Sequence, residues 1–451
     1  MIALMTNPAL FFGSLRSILL RLITGLFAIT IYAAAALAVE GVVKGGQIDP
    51  LPIAIAPFVG AVEGGDVAAT VAGVVANDLA GSGYFSALPP ESFIEQVSDF
   101  EAAPRFEDWR QVQAKALVTG QVSVVGGKVA IAFKLYDVNS QNMRVGQSFT
   151  ASPKSARRIG HKIADAIYKE LTGFDGYFDT RVVFINEEGP KDRRVKKLAI
   201  MDQDGFNPRV LPVEGDLILT PRFSPSSLEV TFMSFGGSAP RVYIYNIETN
   251  QKEIVGEFPN MSFAPRFAPD GQKIIMSLQS DDGRNSNIAE MDLRSRKLRK
   301  LTDAPAINTA PSYSPDGSQI AFESDRGGSQ QIYVMNDDGS GQNRISFGNG
   351  RYSTPVWSPD GKYIAFTRQS GGKFSIGVMA PDGSGERILT EGFHNEGPTW
   401  SPNGRVVMFF RESGGEGGGP QLYSVDITGY NEQKVATPGF ASDPAWSPRL
   451  N

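Results

Sequence analysis

Cysteine is absent from all 451 residues, so the chain has no disulfide, no thiolate metal site and no thiol to carry a lipid. Histidine is scarce as well, with only His161 and His394. No GxSxG elbow occurs, so a serine-histidine-acid triad has neither its turn nor a choice of base. A glycine-rich phosphate loop of the P-loop kind is missing. Charge of one sign does not dominate. Beyond residue 38 there are 41 basic and 48 acidic side chains, a net of −7, which argues against nucleic acid or an anionic membrane surface as the main partner. No cofactor or metal is expected from this inventory.

Long apolar runs are rare too, apart from LITGLFAITIYAAAA at 22–36, which follows Arg16 and Arg21. Its length and the small residues Ala36 and Ala38 predict a cleaved secretory signal over 1–38, with Val39 first in the mature chain and the periplasm as its compartment. An uncleaved anchor over 18–38 is the alternative reading. Glycine (49) and proline (29) are plentiful and favour many short strands joined by turns.

One phrase recurs. PRFSP (221), PRFAP (265), PSYSP (311), PVWSP (355), PTWSP (398) and PAWSP (444) are spaced 44, 46, 44, 43 and 46 residues apart, a period that suits four-stranded propeller blades. In each, an aromatic residue ends a strand and packs on a neighbouring sheet. A Ser-Pro-Asp-Gly turn follows in most copies, with proline presetting the first turn angle and glycine accepting the last. Strands B, C and D come next. The set beginning at RVVFI (181–185) has no A phrase before it, and the phrase at 444 has no B strand after it. A ring closed by docking the C-terminal strand beside RVVFI resolves both, leaving no radial edge.

The expected organisation is therefore a small α/β domain over 39–175, opening with a mobile N-terminal segment, and a six-bladed propeller over 176–451. In the first domain PIAIAPF (52–58) reads as a buried strand, 66–83 as a helix and 116–150 as three strands. A second helix is capped by Ser152, started by Pro153, striped by Ile159, Ile163, Ile167 and Leu171, and stopped at Gly173. His161, within it, reads as a surface or core-edge residue.

Little in this pattern is chemistry. The repeated serines are turn residues, since six equivalent copies in a ring cannot all be one active site. MDQDG (201–205) and MNDDG (335–339) suit hairpin turns better than calcium loops, and KDRRVKK and RSRKLRK read as solvated surface. What is left is a surface. One face of the disc carries near-identical tight turns. The other carries the B–C loops and the D–A crossovers, which vary from blade to blade and suit recognition. Glu396 and Asp443 on that side are the only carboxylates to name for the alternative, a propeller enzyme acting on glycans.

The signal-like leader, the α/β domain and six WSPDG-type repeats ending in PAWSP resemble, over essentially the whole chain, the TolB family of the periplasmic Tol-Pal system. The resemblance implies a monomeric, non-enzymatic scaffold without direct membrane insertion. It would bind the lipoprotein Pal through the propeller and TolA through its N-terminal region, in maintaining outer-membrane integrity and in outer-membrane invagination at division. Carried over by motif, it places the Pal-binding face at Met261, Thr309, Ser353, His394, Asn395 and Glu396, and the TolA-binding segment at Val39, Glu40, Gly41, Val42 and Val43.

Overall fold

The computed structural model describes residues 49–60, 65–213, 217–235, 239–415 and 417–450. The expected signal over 1–38 and the segment Val39–Val43 lie outside the described residues. No described helix is long and apolar enough to cross a membrane.

Alternation and burial build the first domain. Its sheet runs in the order Phe85–Ala87, Leu51–Ile55, Ala116–Val125, Lys128–Asp137, Met143–Ala151, parallel across the first three strands and antiparallel thereafter. Every second residue of Lys128–Asp137 (Val129, Ile131, Phe133, Leu135) points into one core. Over that face lie helix α1 (Gly65–Gly81), through Val71, Val75 and Leu79, and the helix at Ala156–Thr172, through Ile159, Ile163 and Ile167. The opposite face holds a smaller core around Trp109, on the short helix α2 (Phe106–Gln111).

The helix Ala156–Thr172, here α3, starts later than the capping pattern implies. Ser152 does accept a hydrogen bond from the Lys154 N–H, at 3.4 Å, but the turn it caps is a 3-10 turn, Pro153–Ser155. Gly173 ends α3 in the left-handed region, φ 76°, with its N–H on the Lys169 carbonyl. Within α3, Gly160 lies so near α1 that a Cβ there would sit 2.8 Å from Val74, and this is how the two helices come to pack closely.

Six four-stranded antiparallel sheets follow, five of them built from consecutive strands. The sixth is composite: Phe440–Trp446 pairs antiparallel with Arg181–Glu188, with Trp446 opposite Val182. The ring is closed as the repeat count requires. Ser447 Oγ accepts the Arg181 N–H at 2.9 Å, and the Trp446 indole donates to Thr180 Oγ1 at 2.8 Å. The repeated phrase does two jobs. In the third blade Ser314 Oγ accepts the Gln319 N–H at 2.9 Å and Gly317 adopts φ 74°, which sets the turn. Between blades, the Trp400 indole donates to the Val356 carbonyl at 3.0 Å, and the backbone N–H of Trp357 and of Trp446 donate to Ser312 Oγ and Thr399 Oγ1, both at 3.2 Å.

One expectation is corrected. The residues just before each phrase do not form loops; they are the first half of each innermost strand, for example Asn308–Tyr313 and Asn395–Trp400. Each of these strands carries a register shift, and the residue preceding its proline lies in the left-handed region: Thr220, Ala264, Ala310, Thr354, Gly397 and Asp443, with φ between 47° and 65°. A β-bulge is thus repeated six times around the axis.

The first domain sits on the tight-turn face of the propeller, against the fifth and sixth blades. The Gly81 carbonyl at the end of α1 accepts from Asn431 Nδ2 at 3.0 Å and Gln433 Nε2 at 2.6 Å, and Arg405 donates to the Tyr84 hydroxyl at 2.6 Å. Its main core runs without a break into the propeller through Tyr177, Phe178, Met408 and Trp446. No described residue of the first domain is bonded to the crossover face.

Candidate functional site

Around the axis on the open side, the innermost strands sort the expected contact residues by their distance from proline. Three residues before it, the side chains are fully buried: Ile218, Ser262, Asn308, Tyr352, Asn395 and Ala441. Asn395 is among them, at 0% exposure, and its Oδ1 accepts from Arg411 Nε at 2.8 Å; it braces the strand and does not face outward. Two residues before proline stand Thr309, Ser353 and Glu396, all partly exposed. Thr309 Oγ1 accepts from Ser277 Oγ at 3.2 Å, and Ser353 sits opposite Thr367 in its sheet. Met261 and His394 lie four before proline, partly exposed at the head of their strands, and the Met261 carbonyl accepts the Gln279 N–H at 2.9 Å.

His394 is clamped. Its Nε2 lies 2.9 Å from Glu396 and its Nδ1 3.4 Å from Glu412, with the rings of Phe374 and Phe410 at 4.6 and 6.0 Å. The hydrogen bond to Glu396 raises its pKa above the ordinary imidazole value, and the Glu412 charge adds to this. Glu396, proposed above as a glycan-hydrolysing acid, is therefore spoken for by an imidazole. Asp443, its intended partner, is pushed up by burial, with Arg222 beside it pulling the other way.

Sequence reasoning missed the apolar side chains of this face. Phe347 (73% exposed) and Phe393 (68%) project from D–A crossovers, as does Ile307, and Phe235 follows the B strand of the first blade. A lone phenylalanine in a glycine-rich crossover, as in FGNGR and EGFHNEG, was the available signal. Phe347 and Phe393 are the most exposed phenylalanines among the described residues, the kind of side chain that anchors a contact surface.

At the domain junction the structure overturns the reading of His161. It is buried, 3% exposed, with Nδ1 2.6 Å from Asp78 Oδ2 on α1. Asp78 Oδ1 accepts from Gln203 Nε2 of the propeller at 2.9 Å. Beside them Arg157 binds Asp204 at 2.5 Å and Asp202 at 3.4 Å. Burial raises the Asp78 carboxyl to about 6, against the pull of His161. Burial disfavours the His161 cation, but the hydrogen bond and charge of Asp78 outweigh it, and the net shift is upward. Asp78, His161 and Asp204 bring potential ligand atoms within 4.8 Å of one another. Each carboxylate already has an imidazole, amide or guanidinium partner, so the group reads as an ion-pair lock between domain and propeller and not as a metal centre.

Geometry thus defines a class: a small α/β domain locked to the turn face of a closed six-bladed propeller whose other face is rimmed by apolar side chains and, among the described residues, uncovered. The comparisons narrow it. Residues 168–450 match the TolB beta propeller domain and residues 40–144 the TolB amino-terminal domain. The chain belongs to the TolB family. The crystal structure of TolB from Acinetobacter baumannii is 28% identical, with 89% of this chain and 98% of that chain covered and a TM-score of 0.76. A putative TolB from Agrobacterium tumefaciens is 22% identical over 57% of this chain and 89% of that chain, with a TM-score of 0.46.

Proposed function

We propose that the chain is a non-enzymatic periplasmic scaffold of the Tol-Pal system. Its open face docks the lipoprotein Pal, and its N-terminal segment, Val39–Val43, engages TolA. Through these contacts it serves outer-membrane integrity and invagination of the outer membrane at division. Membership of the TolB family supports this reading. The observation that carries it is the set of exposed apolar side chains, Phe235, Ile307, Phe347 and Phe393, on the face that the first domain leaves free. Thr309, Ser353 and Glu396 would supply polar contacts at the mouth, with His394 holding the Glu396 carboxylate in place. Asn395 supports this surface from beneath.

Purified Pal titrated against wild type, Thr309→Trp and Phe393→Ala tests the face. Each variant is expected to weaken binding at least about tenfold, the scale of a truncated or blocked anchor. Tyr430→Ala, on the opposite side, is expected to have no effect. Full affinity in both front-face variants would remove this face from the proposal.

A further inference from the structure

Beneath the rim, the channel holds a cavity of about 230 Å³ lined by Arg222, Arg266, Thr309, Thr354 and Glu323. The two arginines occupy the same place in neighbouring innermost strands, one residue after the proline, where the other four blades carry Ser312, Val356, Thr399 and Ala445. The basic pair therefore belongs to one side of the channel and is not a feature of the repeat.

The two differ in what balances them. Arg222 donates to the Pro221 carbonyl at 2.6 Å and has Asp443 nearby. Arg266 makes no ion pair and no hydrogen bond among the described residues, and the charge that acts on it is the like charge of Arg222. Glu323, the other acid lining the cavity, accepts the Thr354 N–H at 3.4 Å, and burial raises it to about 7, so it is largely uncharged in weakly acidic medium. Arg266 is partly exposed to the channel and keeps its proton at any ordinary pH, so an anion entering the cavity is its natural partner. The Thr220 hydroxyl, at the same mouth, is also buried without a partner among the described residues.

We propose that this cavity is a carboxylate-binding site in which Arg266, seconded by Arg222, holds one carboxylate group. Planar carboxylates suit the fork of a guanidinium, and threonine hydroxyls supply further donors. The carboxylate could arrive free in solution or on an acidic side chain or chain end of a docked protein. The second source rests on the Pal-docking reading above; the first does not.

Two arms separate them. In the first, the arginine Nε–Hε resonances of the whole chain are followed by NMR during a sodium acetate titration at constant ionic strength. A free-carboxylate site is expected to give saturable shifts in two resonances, both abolished by Arg266→Met and partly kept by Arg266→Lys. In the second, Pal affinity is measured for the same variants. A carboxylate brought by Pal is expected to make Arg266→Met bind at least tenfold more weakly, with a shallower salt dependence. Either result supports the site and names its source. Unsaturable or variant-independent acetate shifts, together with unchanged Pal affinity, overturn it. If wild type does not bind Pal at all, the function proposed above falls, and the acetate titration of wild type alone decides the site.

Discussion

His161 shows how far a single residue's environment can depart from its local pattern. On α3 it falls where an amphipathic helix turns toward its neighbours, but what it meets is Asp78, 83 positions earlier in the chain, and through it Gln203 of the propeller. Both members of the pair keep protons longer folded than unfolded. Between about pH 4 and 6 the unfolded Asp78 has ionised while the folded one, raised to about 6, has not. Above about pH 6.5 the unfolded imidazole is neutral, while the folded one, raised by Asp78, still holds its proton. Native protein thus binds more protons over this window, and stability falls as pH rises through it. Asp165, raised to about 6, and Glu323 bend the curve the same way, so the informative quantity is a difference between variants. Melting curves from pH 5 to 8 are expected to show a declining Tm in wild type and a clearly flatter decline in Asp78→Asn, which removes both the raised carboxyl and the charge that raises His161. Parallel slopes in the two proteins would mean that the pair does not titrate with folding.

At the level of strands and turns, what could be read from sequence was what neighbours in the chain decide. The Ser-Pro-Asp-Gly turns are local chemistry, so the six-fold count and the closure at Arg181–Glu188 were both legible. The bulges were not. A residue before proline is ordinarily held in extended backbone, and Thr220, Ala310 or Asp443 gives no hint of a positive φ. That conformation costs about 1–3 kcal/mol per non-glycine residue and persists because the blades on either side enforce it. The same long-range logic hid Arg222 and Arg266, whose pairing across two blades appears only once the ring is built. The closing strand is a sharper test of that ring. Deleting 440–451 removes Trp446, buried against Tyr177 with ring centroids 5.8 Å apart, together with the bond to Thr180. Losing a buried tryptophan alone costs roughly 3–5 kcal/mol. At about 2–4 °C per kcal/mol for large domains, the truncated protein is expected to melt at least about 6 °C lower. A truncated protein that melts with the intact one would show that the sixth blade does not depend on this strand.

For the whole molecule, the decisive feature is that the two units share a core. Tyr168 on α3 stacks edge-to-face on Tyr177 and Phe178 of the connecting segment, at 5.9 and 5.6 Å, and Tyr177 in turn meets Trp446. Around this aromatic chain stand the polar contacts of Gly81 with Asn431 and Gln433, and of Arg157 with Asp202 and Asp204. Separate domains joined by a polar, modest interface commonly move and melt independently. Here an apolar core crosses the boundary, and parting the units would expose Tyr177, Phe178 and Trp446, all buried. Calorimetry is therefore expected to give one transition for wild type. Tyr177→Ala, which cuts the aromatic chain at its centre and costs a few kcal/mol in the manner of other large-to-small core changes, is expected to split that transition into two. The propeller, closed through the pairing of Phe440–Trp446 with Arg181–Glu188, should melt in the upper one. Two transitions in wild type would mean that the shared core does not couple the units.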